Sequence, residues 1–343
     1  MKKKVAVLFG GQSTEHEVSR VSAASVIRNI DQKQFDIYPI GITKDGKWYE
    51  YVGSIDNIES GAWEKDEYYK TPEAQKFLFN KEVDIVFPVL HGLYGEDGTI
   101  QGLCKLLNLP CVGPSVMSSA VCMDKVYTKY LLENFDIKQA EYVVVNLHEY
   151  KDDEKRIIDT IEKKLNYPVF IKPSNSGSSV GITKAHNREE LVNGLIMALK
   201  YDRKVLVERA INAREIEVAV LGNDYPKASI PGEIIPAKEF YDYEAKYQNE
   251  ASKLLIPAAL SNEKLEDVKK LAVKIYSILD CAGMARVDFL VDKDTEEVYL
   301  NEVNTIPGFT KISMYPKMWE ASGIPYTELI NNLIELAVER NNN

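Results

Sequence analysis

The 343-residue sequence lacks the features that mark several common classes of protein. Lys and Arg number 42 against 52 Asp and Glu, and a net charge of −10 provides no basic face to neutralise nucleic-acid phosphates. The only basic run, residues 2–4, leads into an apolar segment, 5–9, that is too short for a signal sequence or a membrane span. We therefore expect neither a nucleic-acid partner nor a membrane partner.

Cysteine is also scarce, and familiar binding motifs are missing. The four cysteines form no C-x-x-C pair and have no histidines at zinc spacing, so we expect reduced thiols in a cytoplasmic protein. The glycine turn at residues 10–13 does not fit the Rossmann fingerprint. His16-Glu17 lacks the second histidine of a zinc helix, and residues 41–48 fall one residue short of a P-loop.

The N-terminal part has the pattern of an α/β domain. An apolar strand over residues 3–9 is followed by the glycine turn and an amphipathic run. Thr14 and Glu17 have the spacing of a capping box, so the helix is predicted to begin near Glu15. Strand, glycine turn and helix in this order are typical of open parallel sheets that bind a ligand there.

A second buried strand, residues 83–90, is predicted to reach the same ligand-binding edge. The glycine-rich segment 91–99 follows it, at the end of the strand where open parallel sheets bind ligands. Residues 50–76 are interpreted as a loop-rich insertion, and Gly113-Pro114-Ser115 marks the first domain boundary.

Two lysines further on have the setting of phosphate ligands. Lys172 ends a predicted strand and precedes a loop rich in Ser and Gly, residues 174–181, while Lys125 lies on a predicted helix. Strands predicted over residues 205–220 begin a third unit. The irregular segment 233–257 is interpreted as a lid.

Residues 284–304 are predicted to form a β-hairpin. If the strands pair symmetrically about Thr295, Asp288 faces Glu302 and Arg286 faces Asn304 on one side of the pleat. Opposed carboxylates repel each other, but a cation between them would turn this cost into a binding site. Carboxylate and amide oxygens are ligands that Mg²⁺ takes. An exposed hairpin with scattered charges is the alternative for this segment alone.

Together these parts are suited to binding ATP with magnesium. Lysines and loop amides would bind the phosphates, the carboxylates of the hairpin would bind the ion, and the lid would exclude water. Segments spread over residues 4–338 also resemble the D-alanine:D-alanine ligase family, which has the ATP-grasp fold. They are LFGGQSTEHEVS at 8–19, HGLYGEDGT at 91–99, MDK at 123–125, IKP with GSSVG at 171–181, YDYEAKY at 241–247, and RVD with NEVNTIPG at 286–308.

The resemblance implies an α/β (α+β) architecture of three domains. An N-terminal open parallel α/β domain that binds substrate would span residues 1–117. The central ATP-grasp subdomain would span 118–207, and the C-terminal subdomain, with the lid and the hairpin, 208–343. The implied activity joins two D-alanines through a D-alanyl phosphate, releasing ADP and phosphate, for peptidoglycan precursor synthesis by a homodimer.

The resemblance also implies roles in nucleotide binding. The residues matching phosphate ligands are Lys125, Lys172, Ser178, Ser179 and Lys246. Those matching the adenine edge and the ribose contact are Glu208, Arg209, Ala210, Ile211 and Glu215. Two Mg²⁺ ions, replaceable by Mn²⁺, would be held by Asp288, Glu302 and Asn304.

The remaining implied roles concern the substrates. Arg286 and the amide of Gly308 would stabilise an oxyanion. The residues matching contacts with the first D-alanine are Glu15 and His91, and those matching contacts with the second are Ser313 and Met314. Glu15, Ser178 and Tyr247 match a hydrogen-bonded triad that connects the first unit to the lid.

Two other functions compete with D-alanine ligation. Relatives that use D-lactate or D-serine replace the 241–247 segment or carry Phe where Tyr247 stands, so the intact segment favours D-alanine. A non-catalytic nucleotide sensor would be expected to lack one of the phosphate, oxyanion or metal residues. All are present: Lys172, Arg286, Asp288, Glu302 and Asn304.

Overall fold

The structure is a computed structural model that describes residues 2–177, 180–235 and 253–342, which form three sheets with helices packed against them. Most of the expected lid lies outside the described residues. So do four expected site residues: Ser178, Ser179, Lys246 and Tyr247. None of the helices in the described ranges is both long and apolar enough to cross a bilayer.

The first sheet is built around the apolar strand predicted at the start of the chain. β1 (Lys3–Gly10) pairs in parallel with β2 (Phe35–Ile42) and with β5 (Ile85–Pro88), as expected for an open α/β domain. β3 (Trp48–Tyr51) and β4 (Lys70–Pro72) extend the sheet in the antiparallel sense. The strand order is β4-β3-β2-β1-β5.

The helices of this unit lie between its strands and after them. They are α1 (His16–Asn29), α2 (Ile55–Ser60), α3 (Lys76–Phe79) and α4 (Thr99–Leu106). α1 begins at the predicted place, but its N-cap residue is Glu15 and no side chain caps it. The capping box of Thr14 and Glu17 does not form because the helix begins one residue later than the box requires.

The expectation of a loop-rich insertion at residues 50–76 is wrong. The segment contributes the end of β3, α2, two 3₁₀ turns (Ala62–Lys65 and Glu67–Tyr69) and β4. Its Trp63 is completely buried and packs edge-on against Phe9, with ring centroids 5.0 Å apart. Buried aromatic side chains therefore fix this segment to the sheet, although its composition is polar. Its helices and strands are too short to give a hydrophobic period from which this burial could be predicted.

The second sheet is antiparallel and carries the predicted phosphate lysine. Its strands, in the order β6-β9-β7-β8, are β6 (Tyr142–Asn146), β9 (Lys204–Arg209), β7 (Val169–Pro173) and β8 (Thr183–Ala185). The helices along the same part of the chain are α5 (Val116–Met123), α6 (Lys125–Glu133), α7 (Leu147–Asp152), α8 (Glu154–Lys164) and α9 (Arg188–Ala198). β9 crosses the expected boundary at residue 208, because Glu208 still pairs with Tyr142 and Phe170.

The third sheet is also antiparallel and holds the predicted hairpin. Its main path is β13-β12-β10-β14-β15, and β11 pairs with β10. The strands are β10 (Ala213–Gly222), β11 (Lys227–Ala228), β12 (Gly232–Ile235), β13 (Lys253–Leu255), β14 (Gly283–Asp292) and β15 (Val298–Asn304). The ends of the expected lid segment are thus strands. Its helices are α10 (Asn262–Ile278), α11 (Met314–Ala321) and α12 (Tyr326–Asn342).

The register of the hairpin confirms the prediction. Arg286 pairs with Asn304 and Asp288 with Glu302, and a bulge follows Asp288. The bulge shifts the pairing beyond the site without moving these four residues off their common face.

The last helix of the chain completes the core of the first unit. Leu329, Ile330 and Leu333 of α12 are fully buried in one cluster with Val5 and Phe87 of the first sheet. The guanidinium of Arg340 also donates to the carbonyls of Gly113 (2.6 Å) and Cys111 (2.9 Å). This packing joins the N-terminal and C-terminal units.

Candidate active site

A cavity of about 640 Å³ lies where the three units meet. The first unit contributes Glu15, His91 and Glu96, and the central unit contributes Lys125 and Gly177. The third unit supplies most of the wall, including these predicted site residues: Glu215, Arg286, Asp288, Glu302, Asn304, Gly308, Ser313 and Met314. The structure therefore brings together groups that are almost 300 residues apart in the chain.

The carboxylates of the hairpin can hold a hard cation. Asp288 and Glu302 face each other in register, and the side-chain amide of Asn304 lies 2.8 Å from Oδ2 of Asp288. Within the described ranges no group of three or more His, Cys, Asp and Glu side chains is arranged for a metal ion. Mg²⁺ at nucleotide sites is bound through one or two carboxylates together with phosphates and water, so this donor set fits it.

Arg286 is held between two carboxylates. Its guanidinium donates to both oxygens of Asp288, at 2.8 and 2.7 Å, and its Nε lies 3.2 Å from Oε2 of Glu217. Burial by itself would lower the pKa of Arg286, but the charges of Asp288 and Glu217 raise it well above its ordinary value. Arg286 is therefore a permanent cation fixed at the cavity wall, as an oxyanion site requires.

Lys172 is close to the cavity and is paired with a carboxylate. Its Nζ lies 2.6 Å from Oε2 of Glu208 and 3.3 Å from Oδ1 of Asn301, which lines the cavity. Burial alone would raise the pKa of Glu208, but Lys129 and Lys172 hold it at about 2. Glu208 is thus ionised and bound to lysines. Residues 208–211 are not among the described residues that line the cavity.

Lys125 reaches the same cavity from the first turn of α6. Its Nζ donates to the carbonyl of Ser176 at 2.8 Å and lies 3.7 Å from Oε2 of Glu302. Asp124 caps the helix through the amides of Val126 and Tyr127. The cap fixes the helix start, and the Lys125 side chain reaches Glu302 of the hairpin and Ser176 of the Ser/Gly loop.

Glu15 lies where the first unit contacts the Ser/Gly loop. The carboxylate is buried, and a Cβ placed on Gly177 would overlap Oε2 of Glu15. A larger residue at position 177 would push the Glu15 carboxylate away from the loop. The approach brings Glu15 to residue 177 of the loop, next to the predicted triad serine, while the other two members of the triad lie outside the described residues.

His91 and Glu96 form a second polar group beside Glu15. His91 Nδ1 lies 2.9 Å from the carbonyl of Ile306 and Nε2 lies 3.0 Å from Oγ of Ser22. Burial lowers the pKa of His91, which favours the neutral imidazole. Glu96 Oε1 is 4.0 Å from His91 Nδ1, and burial, with the negative charge of Glu15, raises the pKa of Glu96 to about 8.

The start of α11 also lines the cavity. Ser313 is the N-cap residue of this helix, and its Oγ lies 2.8 Å from Oγ1 of Thr310. A Cβ on Gly308 would come within 2.7 Å of Oγ of Ser313, so the two predicted residues are adjacent. A helix N-terminus attracts anions, which suits the carboxylate of an amino acid.

Sequence reasoning missed three charged residues that line the cavity, Glu96, Glu217 and Lys317, and a fourth, Lys129, that pairs with Glu208. Three of the four could have been found from their positions in the sequence. Glu96 lies inside the 91–99 motif, Glu217 is two residues from Glu215 on a strand, and Lys129 is four residues from Lys125 on a helix.

A parallel α/β unit joined to two antiparallel units, with lysines on one and paired carboxylates on the other, defines an ATP-grasp fold. Models of protein families identify the family within this fold. The model described as "D-ala D-ala ligase N-terminus" matches residues 4–114, and the model described as "D-ala D-ala ligase C-terminus" matches residues 131–335. The chain belongs to the D-alanine:D-alanine ligase family.

Named relatives agree with this assignment. The "D-alanine--D-alanine ligase" of Clostridium novyi is 77% identical and that of Clostridium acetobutylicum 75%, with 100% of both chains covered in each case. The solved VanG D-Ala:D-Ser ligase from Enterococcus faecalis is 40% identical with a TM-score of 0.89, covering 98% of this chain and 100% of that one. The D-alanine-D-alanine ligase from Coxiella burnetii is 36% identical with a TM-score of 0.86, covering 99% and 95%.

Proposed function

We propose that the protein joins two D-alanines into D-alanyl-D-alanine, at the expense of ATP, for peptidoglycan precursor synthesis. The carboxylate of the first D-alanine takes the terminal phosphoryl group of ATP, and ADP leaves. The amine of the second then attacks the acyl phosphate, phosphate leaves, and a peptide bond forms. Family membership and the 77% identity to a ligase of this name support this assignment.

The observation that carries the proposal is the set of residues that line the cavity at the meeting point of the units. Glu15 offers a carboxylate to an ammonium group, and Ser313 lies at a helix N-terminus suited to a carboxylate. Arg286 lies on the wall of the same cavity. Two amino acids bound in this cavity would have an amine and an activated carboxyl group close together beside a fixed cation.

The residues near the lysines and the hairpin would serve the nucleotide. Lys125 and Lys172 would hold phosphates, and Glu215 would contact the ribose. Asp288, Glu302 and Asn304 would hold Mg²⁺, which when bound supplies positive charge that offsets the charge of the phosphates. Arg286 and the amide of Gly308 would donate to the oxyanion of the reacting carboxyl group.

A D-serine or D-lactate acceptor is the second candidate. The structural likeness to a D-Ala:D-Ser ligase at 40% identity is the observation in its favour. D-Alanine is favoured by the more similar curated relatives and by the intact 241–247 segment. A homodimer in the cytoplasm, the compartment that supplies ATP, belongs to the same proposal.

Phosphate release and product analysis test the proposal directly. The purified protein with Mg²⁺ and ATP is expected to release phosphate only when D-alanine is added, and D-alanyl-D-alanine should form in equal amount. D-Alanine mixed with D-lactate or D-serine near neutral pH should still give mainly D-alanyl-D-alanine. Phosphate release independent of D-alanine would contradict ligation, and a mixed product would identify the alternative acceptor.

A further inference from the structure

Lys129 is a buried lysine that the proposed chemistry does not use. It lies on α6 with its side chain only 4% exposed and is not among the described residues that line the cavity. Its ammonium lies 2.7 Å from Oε1 of Glu208, 3.4 Å from the carbonyl of Ala140 and 4.9 Å from the ring centre of Tyr142. A carboxylate, a carbonyl and an aromatic face thus surround it.

Glu208 connects Lys129 to Lys172, the lysine assigned to the nucleotide phosphates. Its carboxylate, 6% exposed, binds Lys129 through Oε1 and Lys172, at 2.6 Å, through Oε2. The three side chains come from α6, β9 and β7, so three separate elements hold the arrangement in place. The cluster contains two positive charges and one negative charge, and therefore has one positive charge in excess.

This excess charge bears on nucleotide binding. If Lys172 turns from Glu208 to a phosphate, the buried carboxylate of Glu208 needs another cation, because an unpaired buried charge costs several kcal/mol. Lys129 is that cation and cannot itself reach the nucleotide without leaving its partners. Without Lys129, Glu208 would have Lys172 as its only partner in the cluster, and the phosphate would have to compete for it.

We propose that Lys129 is a positioning residue that retains Glu208 and so releases Lys172 to bind the nucleotide phosphates. The proposal rests on the assignment of Lys172 to ATP under the proposed function. It predicts a specific defect in nucleotide affinity when Lys129 loses its charge. A lysine that only packed the core would lower stability without selecting between substrates.

The test compares Lys129→Met with Lys129→Arg in the full-length protein. Binding of a non-hydrolysable ATP analogue with Mg²⁺ is measured by calorimetry, together with the KM values for ATP and for D-alanine. Lys129→Met should raise the Kd of the analogue and the KM for ATP at least tenfold, with the KM for D-alanine within about twofold of wild type. Lys129→Arg, which keeps the charge, should recover most of the affinity.

Lys70→Met is the matched control. The side chain of Lys70 is 5% exposed, and its Nζ lies 2.8 Å from Oε1 of Glu67, 2.6 Å from the carbonyl of Glu64 and 4.6 Å from the ring centre of Tyr49. Lys70 is on the first unit and is not among the described residues that line the cavity. Lys70→Met should lower thermal stability while changing the analogue Kd far less than Lys129→Met does. If Lys129→Met does not fold, Lys129→Gln, also neutral, replaces it in every comparison.

Three results would overturn the proposal: an unchanged analogue Kd in a folded neutral variant, an equal rise in both KM values, or an equal loss of nucleotide affinity in Lys70→Met. A failure of the proposed function can be told apart from a failure of this proposal by the behaviour of the wild-type protein. In that case the wild-type protein itself would not bind the analogue or would not form D-alanyl-D-alanine.

Discussion

The stability of the protein should depend on the protonation of Glu96. Its carboxyl group accepts hydrogen bonds from the amide of Gly92 (3.1 Å) and the amide of Ile306 (3.3 Å), and it lies beside Glu15. Burial and the charge of Glu15 raise the pKa of Glu96 from an ordinary value of 4.5 to about 8. At neutral pH the folded protein therefore holds a proton on Glu96 that the unfolded chain has lost.

The sign and size of the effect follow from proton linkage. A folded-state pKa above the unfolded value gives stability that is complete below pH 4.5 and is lost as the pH rises to about 8. The free energy of unfolding should fall by roughly 1.4 kcal/mol per pH unit within this window, or about 5 kcal/mol in total. Glu96→Gln removes the titrating group, so this part of the pH dependence should disappear.

The assay is urea unfolding of wild type and Glu96→Gln between pH 5.5 and 7.5, followed by fluorescence of the buried Trp63 and Trp319. The stability of the variant relative to wild type should rise by roughly 3 kcal/mol over these two pH units. Glutamine keeps only one acceptor oxygen, and that loss adds a cost that does not change with pH. Glu335→Gln, at an exposed position of α12, is the control, and its free energy of unfolding should change with pH as that of wild type does. A pH-independent difference for Glu96→Gln would refute the reasoning.

Three further variants test the assigned roles. Glu302→Gln should remove most of the ligase activity without lowering the melting temperature, because it takes charge from the proposed metal site; near-wild-type turnover would show that the metal binds elsewhere. Lys172→Ala should raise the KM for ATP at least tenfold and leave the KM for D-alanine nearly unchanged, while Glu208 keeps Lys129 as its partner. An unchanged KM for ATP would place the phosphates elsewhere. Tyr247→Phe should allow D-lactate to compete as acceptor, which product analysis with both substrates measures; strict use of D-alanine would exclude the phenol from acceptor choice.

The hairpin shows how much of the site the sequence could predict. Strand side chains alternate, so one assumption about the turn was enough to place Asp288 opposite Glu302 and Arg286 opposite Asn304. The bulge after Asp288 was not predicted, but it lies beyond the paired carboxylates. Local periodicity was similarly sufficient for β1, for the presence of the helix α1 and for the strand that carries Lys172.

Long-range packing accounts for what the sequence could not predict. The burial of Trp63 depends on Phe9, and the segment around it has no period of its own. The raised pKa of Glu96 depends on its burial beside Glu15, 81 positions earlier in the chain. The partners of Lys129 and Glu217 lie on other strands, Glu208 on β9 and Arg286 on β14, so their pairing appears only in the folded protein.

The packing of α12 against the first sheet has a consequence for synthesis of the chain. The N-terminal unit leaves the ribosome before Leu329, Ile330 and Leu333 of α12, which cover part of its apolar face. The first unit should therefore expose apolar surface until α12 emerges, a state prone to aggregation. Chains that stop before α12 should be insoluble even though all the predicted site residues are present.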